Sequence, residues 1–279
     1  MSKIISLLIV LILLSGAGLL LYPTVSDQYN QLLNARRILA YNQSAQRLAP
    51  ADNSAMLEAA RAYNRTLNQA PVADAFSSDG DAPEQADEAY SALLNPNGDG
   101  IMGYIEIPRI GVRLPIYHTT ADDGLERGVG HMEGTALPVG GADTHCGLAG
   151  HRGLPSARLF TDLDQLEKGD LFYISVLGDN LVYQVDRVNV VEPHELQYMD
   201  VEPGRDLLTL VTCTPYGLNT HRLLVRGTRV SMGDVLDELA RRDSARPLGE
   251  AASAAVCALP FALLGLLFVA LVRPRHRYK

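Results

Sequence analysis

The sequence predicts a mainly β protein, a barrel of short strands that follows a helical region and lies between two long apolar segments. From residue 101 onward, short stretches alternate apolar and polar residues and are separated by turns, which is typical of strands. Before them, residues 26–67 are nearly free of proline and glycine and carry apolar residues at helical spacing. Both ends of the chain carry uncharged apolar runs.

The two apolar runs predict membrane spans. Residues 4–22 (IISLLIVLILLSGAGLLLY) and 251–272 (AASAAVCALPFALLGLLFVALV) carry no charge, and each approaches the length of about 20 residues that crosses a bilayer's hydrocarbon core. An alternative for the first run is a cleaved signal peptide with Ser15-Gly16-Ala17 as the cleavage region. Lys3 and the basic tail RPRHRYK predict cytoplasmic termini. We therefore expect a two-span protein of the cell membrane with an extracellular middle part.

Changes in composition along the chain predict seven consecutive parts. They are an N-terminal transmembrane helix kept as an uncleaved signal anchor (1–22), an extracellular helical region (23–70), a lid and linker loop (71–100), the β-barrel catalytic domain (101–232), a short helix or linker (233–250), a C-terminal transmembrane helix (251–272) and a cytoplasmic basic tail (273–279).

Within the extracellular part, the helical region is expected to form a hairpin. Ala49-Pro50 separates two amphipathic stretches, and Asp52 or Asn53 is the expected cap of the second helix. The acidic loop that follows includes one short helical piece near residues 84–94. In the β region, one helix is expected around residues 157–166, and the many short strands favour an antiparallel barrel.

Composition argues against several classes of function. The formal net charge is −8, and Lys and Arg form no cluster outside the extreme C-terminus, so nucleic-acid binding is not expected. The three cysteines lack the paired spacing of a zinc site, and Cys257 is expected to be a packed residue of the second span. Four acidic residues between two predicted strands lack the order of a calcium loop, so we expect a solvated acidic loop without a metal. They are Glu192, Glu195, Asp200 and Glu202.

The segment TLVTCTPYGLN places Cys213 at the end of a predicted buried strand. Position alone allows two interpretations, a packed residue or a nucleophile. The turn-forming run TPYGLNTH allows LLTLVTC to pair with RLLVRG, so Cys213 would end one strand close to Arg222, which begins the next. A nucleophilic thiolate needs a positive neighbour or a proton acceptor, and this pairing would supply the first.

His151 is the preferred proton acceptor. It lies at a predicted strand end in GLAGHRG, where the flanking glycines allow a substrate backbone to approach. His145 is the best competitor, and His221 is a weaker one. Cys146 is the rival nucleophile, but its odd separation from His151 would place the two on opposite faces of a straight strand. We expect Cys146 to be packed, and a Cys146–Cys213 disulfide is an open alternative.

These motifs resemble those of sortases. The specific signals are TLVTC, an arginine nine residues after its cysteine, and the upstream histidine in GHRG. The surrounding segments GYIEIPRIGVRLPIYH, HMEGTALPVGG, HRGLPSARLFTDL and TCTPYGLNTHRLLVRG are similar to class C, pilin-polymerising sortases, over roughly residues 102–230. The resemblance implies an eight-stranded sortase-type β-barrel with N-terminal helices and flanking transmembrane helices, on the outer face of a membrane.

The resemblance also assigns roles to residues. Cys213 is implied to be the nucleophile that attacks the Thr–Gly bond of an LPxTG-like sorting signal. His151 is implied to be the general acid and base, and Arg222 to bind the signal and stabilise the oxyanion. Thr209 and Thr212, in the same TLxTC box, are implied to bind substrate. No cofactor or metal is implied.

A lid is a further implication of the resemblance. Class C sortases resemble one another in a loop with an Asp-Pro-aromatic motif over the active site, which Asp74 and Phe76 match while Ala75 replaces the proline. We expect Asp74 to pair with Arg222 and Phe76 to cover Cys213. Loss of proline removes a fixed φ and favours a looser lid. The alternative is that ADAF is only the end of a helix that enters a loop.

The implied function is a membrane-anchored cysteine transpeptidase that polymerises pilins. It would form a thioacyl-enzyme with a pilin that bears an LPxTG-like signal and transfer it to a lysine amine of the next pilin. One alternative is a sortase that anchors surface proteins to a cell-wall peptidoglycan precursor, although simple anchoring sortases resemble one another in lacking the lid and the second span. Another is a non-enzymatic pilus assembly scaffold, against which the intact set of Cys213, His151 and Arg222 argues.

Overall fold

The computed structural model of the protein describes residues 2–67, 73–76 and 88–235. The predicted span 251–272 and the basic tail lie outside the described residues, as do residues 77–87 of the predicted lid and linker loop. The chain divides into two compact units, residues 1–230 and 231–279, and the described part of the second is limited to residues 231–235. The seven predicted boundaries stay predictions.

The described residues form four α-helices and eight β-strands. The helices are α1 (Ser2–Arg47), α2 (Pro50–Thr66), α3 (Glu88–Ser91) and α4 (Asp122–Leu125). The strands are β1 (Ile101–Ile107), β2 (Val112–Tyr117), β3 (Val129–His131), β4 (Thr144–Ala149), β5 (Leu171–Val176), β6 (Asp179–Val191), β7 (Asp206–Thr214) and β8 (His221–Val230). Short 3-10 helices lie at Pro108–Ile110, Leu163–Gln165 and Leu196–Met199.

The strands close into a barrel in the order β1-β2-β3-β4-β7-β8-β6-β5, with β5 paired back onto β1. The prediction of a mainly β, eight-stranded barrel is therefore confirmed. The expectation of an antiparallel barrel is wrong at two places, because β2 runs parallel to β3 and β4 runs parallel to β7. Alternation of polar and apolar residues indicates a strand but not its direction relative to its neighbours. Both parallel pairs are joined by long connections that carry other elements, as parallel pairing requires.

Strand β7 is deeply buried, and the candidate functional residues lie around its carboxyl end. It is paired with β4 on one side and β8 on the other, and every residue from Leu207 to Cys213 is buried. Only its two ends, Asp206 and Thr214, are partly exposed. A strand covered on both faces reads as a continuous apolar run, which matches LLTLV. Its carboxyl end is where the buried strand approaches the surface.

The predicted N-terminal helices are present, but their junction differs from the prediction. α2 begins at Pro50 with Ala49 as a cap residue that makes no side-chain hydrogen bond. Proline suits the first helical position because its missing N–H would have no partner there. Asp52 and Asn53 therefore do not cap the helix, and Asn53 instead donates from Nδ2 to the carbonyl oxygen of Ala45 at 2.9 Å.

The expected helix over residues 157–166 is wrong except for one 3-10 turn at Leu163–Gln165. Leu159 has a positive φ of 41°, which an α-helix does not accommodate. The backbone N–H of Phe160 bonds to the carbonyl oxygen of His151 at 3.1 Å, so this segment folds back on the predicted active site. In the 84–94 segment, only Glu88–Ser91 is helical within the described residues.

No helix within residues 2–67, 73–76 and 88–235 is long and apolar enough to cross a membrane. The predicted spans and the membrane localisation stay predictions.

The second half of α1 is attached to the barrel through Tyr41. Its side chain is 1% exposed, and its hydroxyl donates to the carbonyl oxygen of Met102 and accepts from the backbone N–H of Leu177, both at 2.9 Å. Met102 belongs to β1 and Leu177 follows β5, so one hydroxyl joins the helix to two neighbouring strands. α2 makes a similar contact, because the side-chain amide of Asn64 bonds both backbone groups of Leu137.

Replacing Tyr41 by Phe is expected to lower the free energy of unfolding by about 1–3 kcal/mol, because a buried N–H and a buried carbonyl lose their partner. Denaturant unfolding would measure the change. Tyr29→Phe is the matched control in the same helix, since Tyr29 is 61% exposed and its replacement should alter stability by less than about 0.5 kcal/mol. Equal stability of the two variants would contradict the proposed docking role of Tyr41.

Candidate active site

The pairing of β7 with β8 places Cys213 directly opposite Arg222. The predicted pairing of LLTLVTC with RLLVRG is present, with Thr214 opposite His221 at the end of the ladder. Adjacent residues of a strand point to opposite faces, so His221 does not share the face of Arg222. Cys213 and Arg222 are both almost fully buried, since as whole residues they are 6% and 5% exposed.

The parallel pairing of β4 with β7 brings His151 to the same end. Ala149, the last residue of β4, lies opposite Val211, and the backbone N–H of Gly150 continues the ladder by bonding the Val211 carbonyl oxygen at 3.0 Å. Two residues beyond Ala149 and two beyond Val211 are His151 and Cys213. The same register places His145 opposite Leu207, about 20 Å along the strand from Cys213. The competitor His145 is therefore not at the site.

The described segment of residues 73–76 lies across this end of the barrel. Asp74 makes a two-pronged ion pair with Arg222, in which Nε donates to Oδ1 at 2.8 Å and Nη2 donates to Oδ2 at 2.6 Å. The two side chains are 9% and 6% exposed. The remaining guanidinium nitrogen, Nη1, donates to the carbonyl oxygens of Asn219 and His221, both at 3.1 Å. None of residues 73–76 is helical, and residues 75 and 76 form a turn.

Phe76 lies between the predicted general base and the predicted oxyanion residue. Its ring centroid is 5.7 Å from that of His151, and the guanidinium carbon of Arg222 is 5.3 Å from its centroid. Ala75 and Phe76 also pack on a small apolar cluster beneath them. The cluster is formed by Leu125, Met132, Ala149, Val191, Met199, Val211 and Leu224. Sequence reasoning did not single out its two methionines, because they come from separate connections that only the fold brings together.

Burial sets the resting protonation of the candidate pair. It raises the pKa of the Cys213 thiol; the Arg222 cation opposes this effect, and the Asp74 carboxylate adds to it. Burial lowers the pKa of His151, while nearby carboxylates partly oppose the change. Both shifts favour a neutral thiol beside a neutral imidazole in this covered arrangement.

The two threonines of the TLxTC box have buried partners in this structure. The hydroxyl of Thr209 lies 2.7 Å from Nε2 of His145, and the hydroxyl of Thr212 donates to the Gly150 carbonyl oxygen at 2.7 Å. Thr212 thus braces the residue before His151, whereas Thr209 lies four positions away from Cys213 along the strand. Their role in substrate binding stays a prediction.

The rival thiol is enclosed in the barrel. Cys146 is 3% exposed and belongs to the main apolar core, where burial raises its pKa well above the ordinary range. Cys146 and Cys213 are both free thiols, so the alternative disulfide between them is not formed. This agrees with the expectation that Cys146 is packed.

In the acidic connection between β6 and β7, Glu202 is paired with arginines, whereas Glu192 is exposed. Glu202 accepts from both Arg205 and Arg226, and Arg226 also bonds Asp186 through Nε and Nη2 at 2.9 and 2.7 Å. These contacts satisfy the carboxylates with guanidinium groups. Within the described ranges, no cluster of His, Cys, Asp and Glu is arranged to hold a metal ion.

Comparison with known protein families identifies one domain. Residues 105–230 match the model of the sortase domain. Sortase D of Bacillus subtilis is 29% identical over 143 residues, which cover 50% of this chain and 69% of that protein.

Solved structures extend the similarity beyond that domain. Sortase C-1 of Actinomyces oris is 46% identical with a TM-score of 0.61, covering 66% of this chain and all of that one. Sortase C of Streptococcus pneumoniae is 38% identical with a TM-score of 0.62, covering 70% of this chain and 97% of that one. That structure is reported to give insights into catalysis and pilin substrate specificity. The resemblance to class C sortases is therefore confirmed.

Asp74→Ala is expected to speed the alkylation of Cys213 at pH 7 by roughly tenfold and to move its pH midpoint to lower pH. Loss of the carboxylate removes a charge that raises the thiol pKa and leaves the Arg222 cation to act alone, so more thiolate is present at a given pH. Peptide mapping by mass spectrometry after timed alkylation would give the rate at Cys213 itself. Asp123→Ala, at an exposed carboxylate paired with Arg127, is the control and should leave the rate unchanged. Identical rates in all three proteins would refute the effect.

Proposed function

The chain belongs to the sortase family, and we propose from that premise that it is a class C member that polymerises pilins. The sortase family consists of cysteine transpeptidases. The proposed substrate is a secreted pilin with an LPxTG-like sorting signal, which is cleaved between Thr and Gly. The proposed acceptor is the side-chain amine of a lysine in the next pilin subunit.

The buried ion pair of Asp74 with Arg222, together with Phe76 against His151, is the observation that favours this class. It shows that a segment from outside the barrel occupies the side chains proposed to bind the sorting signal. A covered resting site suits an enzyme that must react with one specific sorting signal, because the thiol stays shielded from other reactants until residues 74–76 move away. The solved class C structures similar to this chain support the same assignment.

In the proposed first half-reaction, the site acts after residues 74–76 have moved from it. His151 takes the thiol proton of Cys213, and the thiolate attacks the threonine carbonyl carbon of the sorting signal. Arg222, released from Asp74, donates from Nε and Nη2 toward the developing oxyanion. The tetrahedral intermediate then expels the glycine amine, which receives the proton from His151. A thioester between Cys213 and threonine remains.

The second half-reaction is the same chemistry in reverse with a different amine. The lysine amine attacks the thioester carbonyl, His151 accepts a proton from it, and the Cys213 sulfur leaves and takes that proton from His151. The products are an isopeptide bond and a regenerated thiol. Because both shifted pKa values favour the neutral thiol and imidazole, the resting site holds one proton on sulfur and is ready to begin the cycle again.

We further propose that the protein is anchored in the cell membrane with its barrel outside and both termini in the cytoplasm. The uncharged runs 4–22 and 251–272 and the basic tail support this arrangement. An anchored enzyme would meet secreted pilins as they emerge from the membrane.

Incubating the full chain with a purified pilin that carries an LPxTG-type signal is expected to give a ladder of covalent products on a denaturing gel. Because the thioester forms on the sulfur of Cys213, Cys213→Ala should give neither the ladder nor an acyl-enzyme detectable by mass spectrometry. Cys146→Ala is the matched control, and because its thiol lies in the core away from the site it should still give the ladder.

Other products would support the alternatives. Transfer only to a short amino peptide of the cell-wall type, without pilin ladders, would favour an anchoring sortase. Pilin assembly by Cys213→Ala as efficient as that by the unaltered chain would favour a scaffold. A persistent acyl-enzyme in Cys213→Ala would exclude Cys213 as the nucleophile.

A further inference from the structure

The parallel ladder between β4 and β7 ends just before the site, at Ala149 and Val211. Beyond that point, two side-chain hydrogen bonds continue to join the two segments. In the first, Thr212 donates from Oγ1 to the carbonyl oxygen of Gly150 at 2.7 Å. In the second, Arg152 donates from Nη1 to Oγ1 of Thr214 at 3.1 Å. We refer to these two bonds as the flanking links.

The flanking links bracket the two residues that would react. Cys213 lies between Thr212 and Thr214, and His151 lies between Gly150 and Arg152. Each link therefore joins an immediate neighbour of the thiol to an immediate neighbour of the imidazole. The last backbone hydrogen bond of the ladder runs from the N–H of Gly150 to the carbonyl oxygen of Val211, so the further links between the two segments are made by side chains.

Arg152 is held more tightly than the second link alone requires. Its Nη2 donates to Asp164 in the 3-10 turn Leu163–Gln165, and its side chain is only 9% exposed. Its Nε is buried without a hydrogen-bond partner. Burying a cation with an unpaired N–H lowers the free energy of unfolding, so a contribution to stability does not explain this placement. A guanidinium that bonds two elements at once does restrict the loop between them to one position.

We propose that Arg152 is a positioning residue that aligns His151 with Cys213 through Thr214 and Asp164. The inference rests on the proposed function, because it concerns the proton transfers of that reaction. The hydrogen bonds of the guanidinium go to Thr214 and Asp164. It holds the turn that carries His151 against the end of the strand that carries Cys213.

Proton transfer explains why such alignment matters. His151 must accept the proton of Cys213 in one step and exchange a proton with the leaving or entering amine in the others. Each transfer requires a distance of about 2.6–3.2 Å between the two heavy atoms. A mutation far from the chemistry that misplaces the reacting groups by about 1 Å can lower a rate by about 100-fold. Binding of the sorting signal does not require the same precision of His151. A misaligned imidazole should therefore lower kcat and leave KM little changed.

The test compares variants of the full chain in the transfer of an LPxTG-type peptide to a lysine-containing peptide. Arg152→Gln is expected to lower kcat about 10- to 100-fold with KM within about twofold. Arg152→Lys should recover part of the loss, because it keeps a cation that can reach Asp164. Thr214→Val, which removes only the acceptor of the second link, should lower kcat in the same direction. The double variant should lose no more than Arg152→Gln alone, because both changes break one link.

Arg158→Gln is the matched control. Arg158 lies in the same connection, but its side chain is 65% exposed and pairs with Asp162 in that connection instead of with a residue of β7. It should keep the parent kcat. If Arg152→Gln fails to fold, Thr214→Val and Arg152→Lys test the same inference, since each should lower kcat while KM stays nearly unchanged.

Three results would overturn the inference. They are a parent-like kcat in Arg152→Gln and Thr214→Val, losses that multiply in the double variant, and an equal loss in Arg158→Gln. A parent chain that forms no thioester with the peptide would instead refute the proposed function, and this inference would fall with it. If the parent chain is active and the Arg152 variants keep its kcat, only the positioning role is refuted.

Discussion

The position of β7 between β4 and β8 is the constraint on which the active site depends. Its parallel register with β4 sets how far His151 extends, and its antiparallel register with β8 sets Arg222 opposite Cys213. A slip of one residue in either pairing would turn the affected side chains to the other face of the sheet. The continuous apolar sequence of β7 prevents such a slip only indirectly, by filling the core on both faces. Residues from three separate parts of the chain thus meet because one buried strand has two fixed neighbours.

The ion pair of Asp74 with Arg222 joins a segment from outside the barrel to this frame, and in the proposed reaction that segment moves away. Removing one member of a buried ion pair leaves an uncompensated charge, so departure of Asp74 requires a replacement for its two hydrogen bonds. Carbonyl groups of an extended peptide offer such a replacement. Meanwhile Nη1 stays bonded to the Asn219 and His221 carbonyls, so the guanidinium keeps its orientation. In the proposed reaction, the ion pair therefore blocks the sorting signal, and its two hydrogen bonds indicate which acceptor groups the signal must supply to Arg222.

Local patterns in the sequence were enough to predict part of this arrangement. The pairing of Cys213 with Arg222 follows from two strands joined by a short turn, and period-two alternation then excludes His221. The choice of His151 over His145 does not follow from alternation, because it depends on a parallel pairing between strands far apart in the chain. Arg152 was missed for a related reason, since its partners Thr214 and Asp164 are brought to it only by the fold. The expected helix over residues 157–166 failed because tertiary contacts with His151 outweigh helix propensity.

Access to the site and the reactivity of its thiol depend on the same contact. With residues 74–76 in place, burial and the Asp74 carboxylate both raise the pKa of Cys213, and the Arg222 cation is shared with that carboxylate. When the segment leaves, water reaches the sulfur, one negative charge departs and the guanidinium acts on the thiol without competition. All three changes favour the thiolate. In the proposed reaction, the cover therefore protects the resting thiol from stray alkylation, and its departure both admits the sorting signal and prepares the nucleophile that attacks it.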